Sequence, residues 1–462
     1  MRFGGKAFVL GALPLLAGLA LLAGGGSSAD AQANGARIEG VASCAGSTCH
    51  GRAEGNGDAV RQDEIATWQE PSSASGAHSR AYAVLSSPRG RQIIASLTSS
   101  GNYKESDCLG CHTTYKPEVA KGARYQESDG VGCESCHGPA SGWLASHYVL
   151  SDGDNSRVTH ASNVARGMTD LTKPRVRANV CLDCHYGSEK TGQFVTHAMM
   201  AAGHPRVTFE LDLFSALQQH HDEDADYTGK RMKPATDSVR LWAVGQAEAV
   251  ARSTELFAGP RGAKGVFPQY YFYDCHSCHR TITDAEQRRL TFETNPGRPI
   301  EFGQAPFNDE NIIMLSSVAR ALASGQAASF DSASKAFHAA MGEGRAEAQA
   351  AALRLNREAN ALAGALDRDF DGNDAFTVIQ KISDTATAPR FTDYTGSSQA
   401  VMAVDTLLNA LVRDGRITTG AAASIRADIN VAYGAVRSPE SYKPVQFRAA
   451  LARATGAIGR LR

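Results

Sequence analysis

The sequence predicts a mainly α fold: a loop-rich first part with few strands, followed by an α-helical bundle. Three observations predict it. Apolar residues in the last third recur at steps of three and four, the period of one helix face. The first two thirds break into short pieces rich in Gly, Pro and polar residues, with no convincing alternation that would mark strands. All ten cysteines fall into five motifs that end in Cys-His, with none left over.

The N-terminus reads as a signal peptide over residues 1–33. Arg2 and Lys6 supply a positive start, Phe8 to Leu22 an apolar run, and Ala31-Gln32-Ala33 a small-x-small cleavage site. The run is short and rich in Gly and Ala, which argues against a retained spanning helix. No cysteine follows it, so lipid attachment is not expected. Export to the periplasm with cleavage near Ala33 follows, and no other stretch reads as a membrane span.

The five motifs come next. They begin with Cys44-Ala45-Gly46-Ser47-Thr48-Cys49-His50. The other four are C-x-x-C-H: Cys108 to His112, Cys133 to His137, Cys181 to His185 and Cys275 to His279. This is the c-type haem attachment signature. Each cysteine pair bonds a haem's two vinyl groups, and the following histidine binds the iron. Five covalent haem c groups are therefore expected. The first motif has a looser C-x4-C-H spacing. Zinc would want paired motifs or scattered histidine ligands, and a thioredoxin-like motif would occur once in a βαβ setting. A disulfide framework is the remaining alternative, since the cysteine count is even.

A histidine outside the motifs can fill the sixth iron position, and that decides function. A filled position leaves an electron-transfer haem; an open one lets a small molecule bind. His78, His147, His160, His197 and His204 lie close to the motifs in a chain otherwise poor in histidine, and are the candidate distal ligands. His220 and His221 sit in an acidic stretch and read as loop. His276 lies inside its own motif, and His338 is remote from all of them. Met168, Met199 and Met200 could ligate in principle, but methionine beside apolar residues is more often packing.

Composition then shifts. Residues 34–305 hold every cysteine, every tryptophan and thirteen of the fourteen histidines; residues 306–462 hold only His338. A boundary is expected there, with Thr294 to Pro299 as linker and Pro306 before a helix. In the first part, Val239, Ala243, Gln246, Val250 and Phe257 share one face of a helix starting near Asp237. In the second, the stripes are Ile312, Leu315, Ala319, Leu322; Ala348, Ala352, Leu355, Ala359, Leu362, Leu366; Val401, Val404, Leu408, Leu411; Ile425, Ile429, Ala432, Val436; and Phe447, Leu451, Ala454, Ile458, Leu461. Breaks are read at Gly372, Pro389, Gly396, Gly415, Gly420 and Pro439. The expectation is a haem-free bundle of about four to six antiparallel helices, its seams packing internally or serving as a docking surface. Asp367 to Gly372 resembles the start of an EF-hand loop, but the twelfth position is Val378, where a bidentate glutamate is needed.

A net charge of −1 gives no electrostatic case for nucleic acid or an anionic membrane.

The residues around the motifs carry a family resemblance. Trp68 through His78 to Leu85, Cys133 to Ala140 with Trp143 and His147, Cys184 to Gly187, His197 through Gly203-His204-Pro205-Arg206, and Phe209 to Asp212 resemble the multihaem cytochromes of the cytochrome c-554 type, over roughly residues 40–290. The resemblance implies a mainly helical, loop-rich multihaem cytochrome core, closely stacked haem pairs and mostly bis-histidine ligation. The fifth motif and the C-x4-C-H spacing depart from it, so no distal ligand is assigned to a particular haem from sequence. The function implied is a periplasmic electron carrier rather than an enzyme. It would work between a redox donor, such as a membrane quinol-oxidising complex, and an acceptor. The alternative is a reductase or oxidase of a small nitrogen or sulfur compound at one open haem. Pentahaem nitrite reductases resemble the chain in haem number, but their C-x-x-C-K motif has no counterpart here.

Overall fold

The computed structural model describes residues 35–55, 62–104, 106–148, 159–190, 192–218, 237–263, 265–280, 304–389 and 391–462. The signal segment, the Thr294–Pro299 linker, His220 and His221 lie outside them. Residues 36–462 form one compact unit.

The chain is mainly α, as its sequence predicts. The only strands among the described residues are two-residue pieces, β1 (Arg37–Ile38) and β2 (Ala120–Lys121), paired in parallel with Arg37 opposite Ala120. The first part carries short helices: α1 (Glu64–Gln69), α2 (Pro88–Thr98), α3 (Ser106–His112), α4 (Cys133–His137), α5 (Leu144–His147), α6 (His160–Val164), α7 (Pro174–His185), α8 (His197–Ala201) and α9 (Leu211–Gln218). Three of them, α3, α4 and α7, end on a motif histidine. The reason is local: residues i, i+3 and i+4 of a helix share one face, so one turn of C-x-x-C-H aims both thiols and the imidazole the same way.

The long helix α10 (Ser238–Ala258) starts where expected, its N-cap Asp237 accepting a bond from the Arg240 amide at 2.9 Å. It is buried almost all round, not on one face. On one side lies α7 with its motif. On the others lie α12 (Glu310–Leu322) and α14 (Arg345–Leu366), which follow the four-residue α11 (Pro260–Ala263) and precede or follow α13 (Ser324–Ala340). A single apolar core therefore runs from Ala178 to Ile458. The compositional change near residue 305 is not a break in packing. Cysteine and histidine placement follows chemistry, whereas the apolar surface that joins the two parts is spread through both.

The remaining helices are α15 (Gly372–Ala386), α16 (Tyr394–Arg413), α17 (Thr419–Ala435) and α18 (Pro444–Gly459). The second part thus holds seven helices among its described residues, against the four to six expected. Gly372, Gly396 and Gly420 were read as breaks, yet each falls in the first turn of a helix, behind the caps Asp371, Asp393 and Thr418. A capping side chain satisfies the open amides of the first turn, so glycine there does not end the helix. Gly415, with φ of 66°, does follow a helix end. The apolar stripes are buried as expected, except that Leu461 is 41% exposed beyond the end of α18.

Candidate functional site

The ten cysteines are all free thiols, so no disulfide framework holds this chain. Their motifs stand close together. The Cys44 and Cys133 thiols touch; Cys133 holds the Cys44 thiol below its usual range, and that contact together with burial pushes Cys133 up. Cys111 and Cys184 touch in the same way. Gly110 makes room for the second motif: a Cβ there would lie 2.4 Å from the Gly192 carbonyl oxygen.

Four motif histidines each face a histidine from elsewhere in the chain. His50 faces His147 with ring centres 6.2 Å apart and planes 6° from parallel. His112 faces His204 at 6.2 Å, and His185 faces His78 at 6.2 Å, both edge-on. His279 faces His197 at 6.1 Å and 36°. Two metal–imidazole bonds of roughly 2.0–2.1 Å, with about 1.1 Å from each ring centre to its nitrogen, span about 6.2–6.4 Å. The spacing in all four pairs fits one metal ion between two rings.

The second nitrogen supports this. Nδ1 of His50 meets the Glu64 carboxylate at 2.9 Å. Nδ1 of His112, His185, His147 and His204 meets the carbonyls of Ala81 (2.5 Å), Thr208 (3.0 Å), Leu144 (2.7 Å) and Pro205 (2.7 Å). Nδ1 of His78 meets the Gln218 side-chain oxygen at 3.2 Å, and that of His279 lies 3.8 Å from Glu440. A ring whose Nδ1 is tied to an acceptor is held as the tautomer that binds metal through Nε2. Burial also holds His112, His147 and His185 below the usual histidine range, which favours the neutral, ligating form.

His160 differs from the other sequence candidates. Its Nε2, the nitrogen a ligand would use, lies 3.0 Å from Asp170, and its side chain is 51% exposed. Among the described residues no ring contact sets it against a motif histidine. The fifth motif histidine, His137, ends α4 and gives its carbonyl to the Thr169 amide at 2.9 Å.

The helical part walls the fifth motif. Asp274 takes its amide bond from Pro306, and its carboxylate accepts from Thr395. His276 Nδ1 meets the Pro439 carbonyl at 2.6 Å, and its ring packs on Tyr442. Beside Cys275, Arg206 pairs with Glu310 at 2.6 Å. None of Glu64, Gln218, Glu310 or Glu440 carried a sequence signal, because each acts from a distant stretch of chain. Met200 packs on the core and Met199 lines a small cleft with Cys108, so both serve as packing. His338 is core, 1% exposed, beside Asp309 at 3.3 Å. The EF-hand-like run is a structural turn: Asp371 caps α15, and Asp367 and Asp369 pair with Arg240. Among the described residues no three His, Cys, Asp or Glu side chains converge on a directly bound ion.

A mainly helical chain with Cys-Cys-His turns, and with facing histidines at metal-spanning distance, has the layout of a c-type haem protein. Residues 43–138, which hold the first three motifs and His78, match the family described as cytochrome c554 and c-prime. The match supports a c-type cytochrome family, with covalent haem and haem-based electron transfer. Neither the curated proteins nor the solved structures give a match. No helix among the described residues is long and apolar enough to cross a membrane.

Proposed function

We propose that this chain is a periplasmic pentahaem cytochrome that carries electrons between a redox donor and an acceptor, with one haem c at each motif. Haem iron supplies a one-electron couple, and two histidine ligands keep small molecules off the metal. The observation that carries the reading is the set of four facing pairs at 6.1–6.2 Å. In this reading Cys44/Cys49, Cys108/Cys111, Cys133/Cys136, Cys181/Cys184 and Cys275/Cys278 hold the haems. His50 and His147, His112 and His204, His185 and His78, and His279 and His197 are the axial pairs, and His137 is the proximal ligand at the third motif.

The flanking residues set each ring. Glu64 holds His50 by charge; Ala81, Thr208, Leu144 and Pro205 hold theirs by carbonyl dipoles. These tethers fix ring orientation and ligand basicity before metal arrives. The wall of α16 and the 439–442 turn keeps one side of the fifth motif from water.

The test joins mass to spin state. The intact exported protein should weigh its chain from about Asn34 plus five haems. Its oxidised spectrum should be low-spin at the four paired sites, with no change there on adding cyanide or nitric oxide. Fewer than five haems, or high-spin signal from those sites, would defeat the reading. Donor and acceptor would be sought among one-electron redox proteins, a membrane quinol-oxidising complex included.

A further inference from the structure

The atoms that would touch the haems, thiols and ligand rings, also show which motifs are neighbours. The first motif meets the third through Cys44 and Cys133, and the Glu134 carboxylate accepts from the amides of Glu39 and Gly40 just before Cys44, at 2.9 and 2.7 Å. The third meets the fourth where α4 packs on α7, with Cys136 near enough to Cys181 to act on its charge. The fourth meets the second through Cys184 and Cys111. There Cys184 Sγ lies 3.7 Å from the Gly110 carbonyl, and Gln193 bridges both at 3.2 and 3.8 Å. The second meets the fifth through α8 and the turn after it. Within eight residues this segment carries His197, facing the fifth motif, and His204, facing the second. A further contact, Tyr271 Oη to the Tyr186 carbonyl at 3.0 Å, ties the fifth motif to the end of the fourth.

Exposure gives an independent clue. Eight cysteines are partly buried, and the two exposed ones are Cys49 of the first motif and Cys278 of the fifth. These are the two ends of the contact series. The extra residues of the C-x4-C-H motif lie in the exposed stretch Gly46 to Cys49. The longer spacing therefore sits where solvent, not packing, receives it. At the other end His279 is 53% exposed beside Glu440.

We propose that the five sites form one unbranched path in the order first, third, fourth, second, fifth, and that electrons enter and leave at the first and fifth motifs. The path rests on the haem reading above. Each transfer oxidises a one-electron donor protein at one port and reduces a one-electron acceptor protein at the other, with no bond made or broken.

Two bulky blocks test it on the full haem-loaded protein. Ser47→p-azidophenylalanine beside the first motif and Ser441→p-azidophenylalanine beside the fifth each take a large polyethylene glycol chain; Ala423→p-azidophenylalanine on α17 is the control. The rate of reduction by a monohaem cytochrome c is then followed by stopped flow. Blocking both ports should slow it at least about tenfold, and blocking Ala423 should not change it. A small reductant, dithionite, should reduce all variants alike. Unchanged protein-to-protein transfer in the doubly blocked chain would overturn the proposal.

The order is tested by removing the second haem with Cys108→Ser and Cys111→Ser. With the first port blocked, about a quarter of the remaining haem should reduce quickly through the fifth; with the fifth blocked, about three quarters should reduce through the first. The reverse split, or equal fast reduction from both ends, would overturn the order. If the doubly substituted chain fails to mature, the port test still decides. Haem mass distinguishes failure of these ideas from failure of the haem reading: an unmodified chain with fewer than five haems removes the latter.

Discussion

Removing His147 is the sharpest test of a ligand pair. His147 faces His50 with planes 6° apart, and its Nδ1 is tied to Leu144 at 2.7 Å, so Nε2 is the nitrogen turned to metal chemistry. The four pairs use eight different histidines, none shared. His147→Ala should therefore change one haem in five and leave the rest alone. The expected signature is loss of about 20% of the low-spin signal, matched by a high-spin signal of the same size. Electron paramagnetic resonance and visible absorption of the oxidised protein measure both. Added imidazole should occupy the vacated space and restore the low-spin signal. His160→Ala is the comparison. Its Nε2 is committed to Asp170, so its spectrum should match the unaltered protein. A fully low-spin His147→Ala protein with five haems by mass would refute the ring-spacing argument, and so would a high-spin haem in His160→Ala.

Other outcomes follow from the same contacts. Glu64→Gln should raise the potential of the first-motif haem in a spectroelectrochemical titration, because the carboxylate at 2.9 Å makes His50 more basic and favours ferric iron. Arg206→Ala should cost about 3–5 kcal/mol in denaturant unfolding, since it leaves the buried Glu310 carboxylate without its partner, and Arg206→Ala with Glu310→Ala should recover part of that loss. Leu355→Ala empties a fully buried core position on α14 and should cost about 2–5 kcal/mol. Burial, with the Asp212 charge second, pushes Glu210 up to about 8 from an ordinary 4.5. A carboxyl raised in the folded state binds its proton more tightly there than in the unfolded chain. Its contribution therefore weakens as pH rises from about 4.5 to about 8 and is level outside that window. Glu210→Gln should flatten that part of the stability–pH curve, as measured by unfolding at fixed steps of pH.

Much of the chemistry is legible one turn at a time. C-x-x-C-H is a local pattern: spacing alone brings two thiols and an imidazole to one face, as the helical ends at His112, His137 and His185 show. The apolar stripes are local too, and α14 and α16 lie where their stripes place them. Helices α13 and α15 were not read. In α13 Ser334 interrupts the buried stripe, and α15 opens on Gly372, which looks like a break until Asp371 is seen to cap it.

The sequence by itself determined the attachment chemistry, the helical character and a short set of candidate distal histidines. The tertiary structure decided which candidate faces which motif. His50 and His147, or His78 and His185, lie about a hundred residues apart in the chain, and no periodic pattern relates such positions. Backbone carbonyls hold several of the rings, and a carbonyl has the same identity at every residue. Only the folded path shows that Ala81 serves His112 and Thr208 serves His185. The joining of the two compositional parts was decided the same way. Burial of α10 on all sides requires apolar surface from both, and only packing shows how they share it.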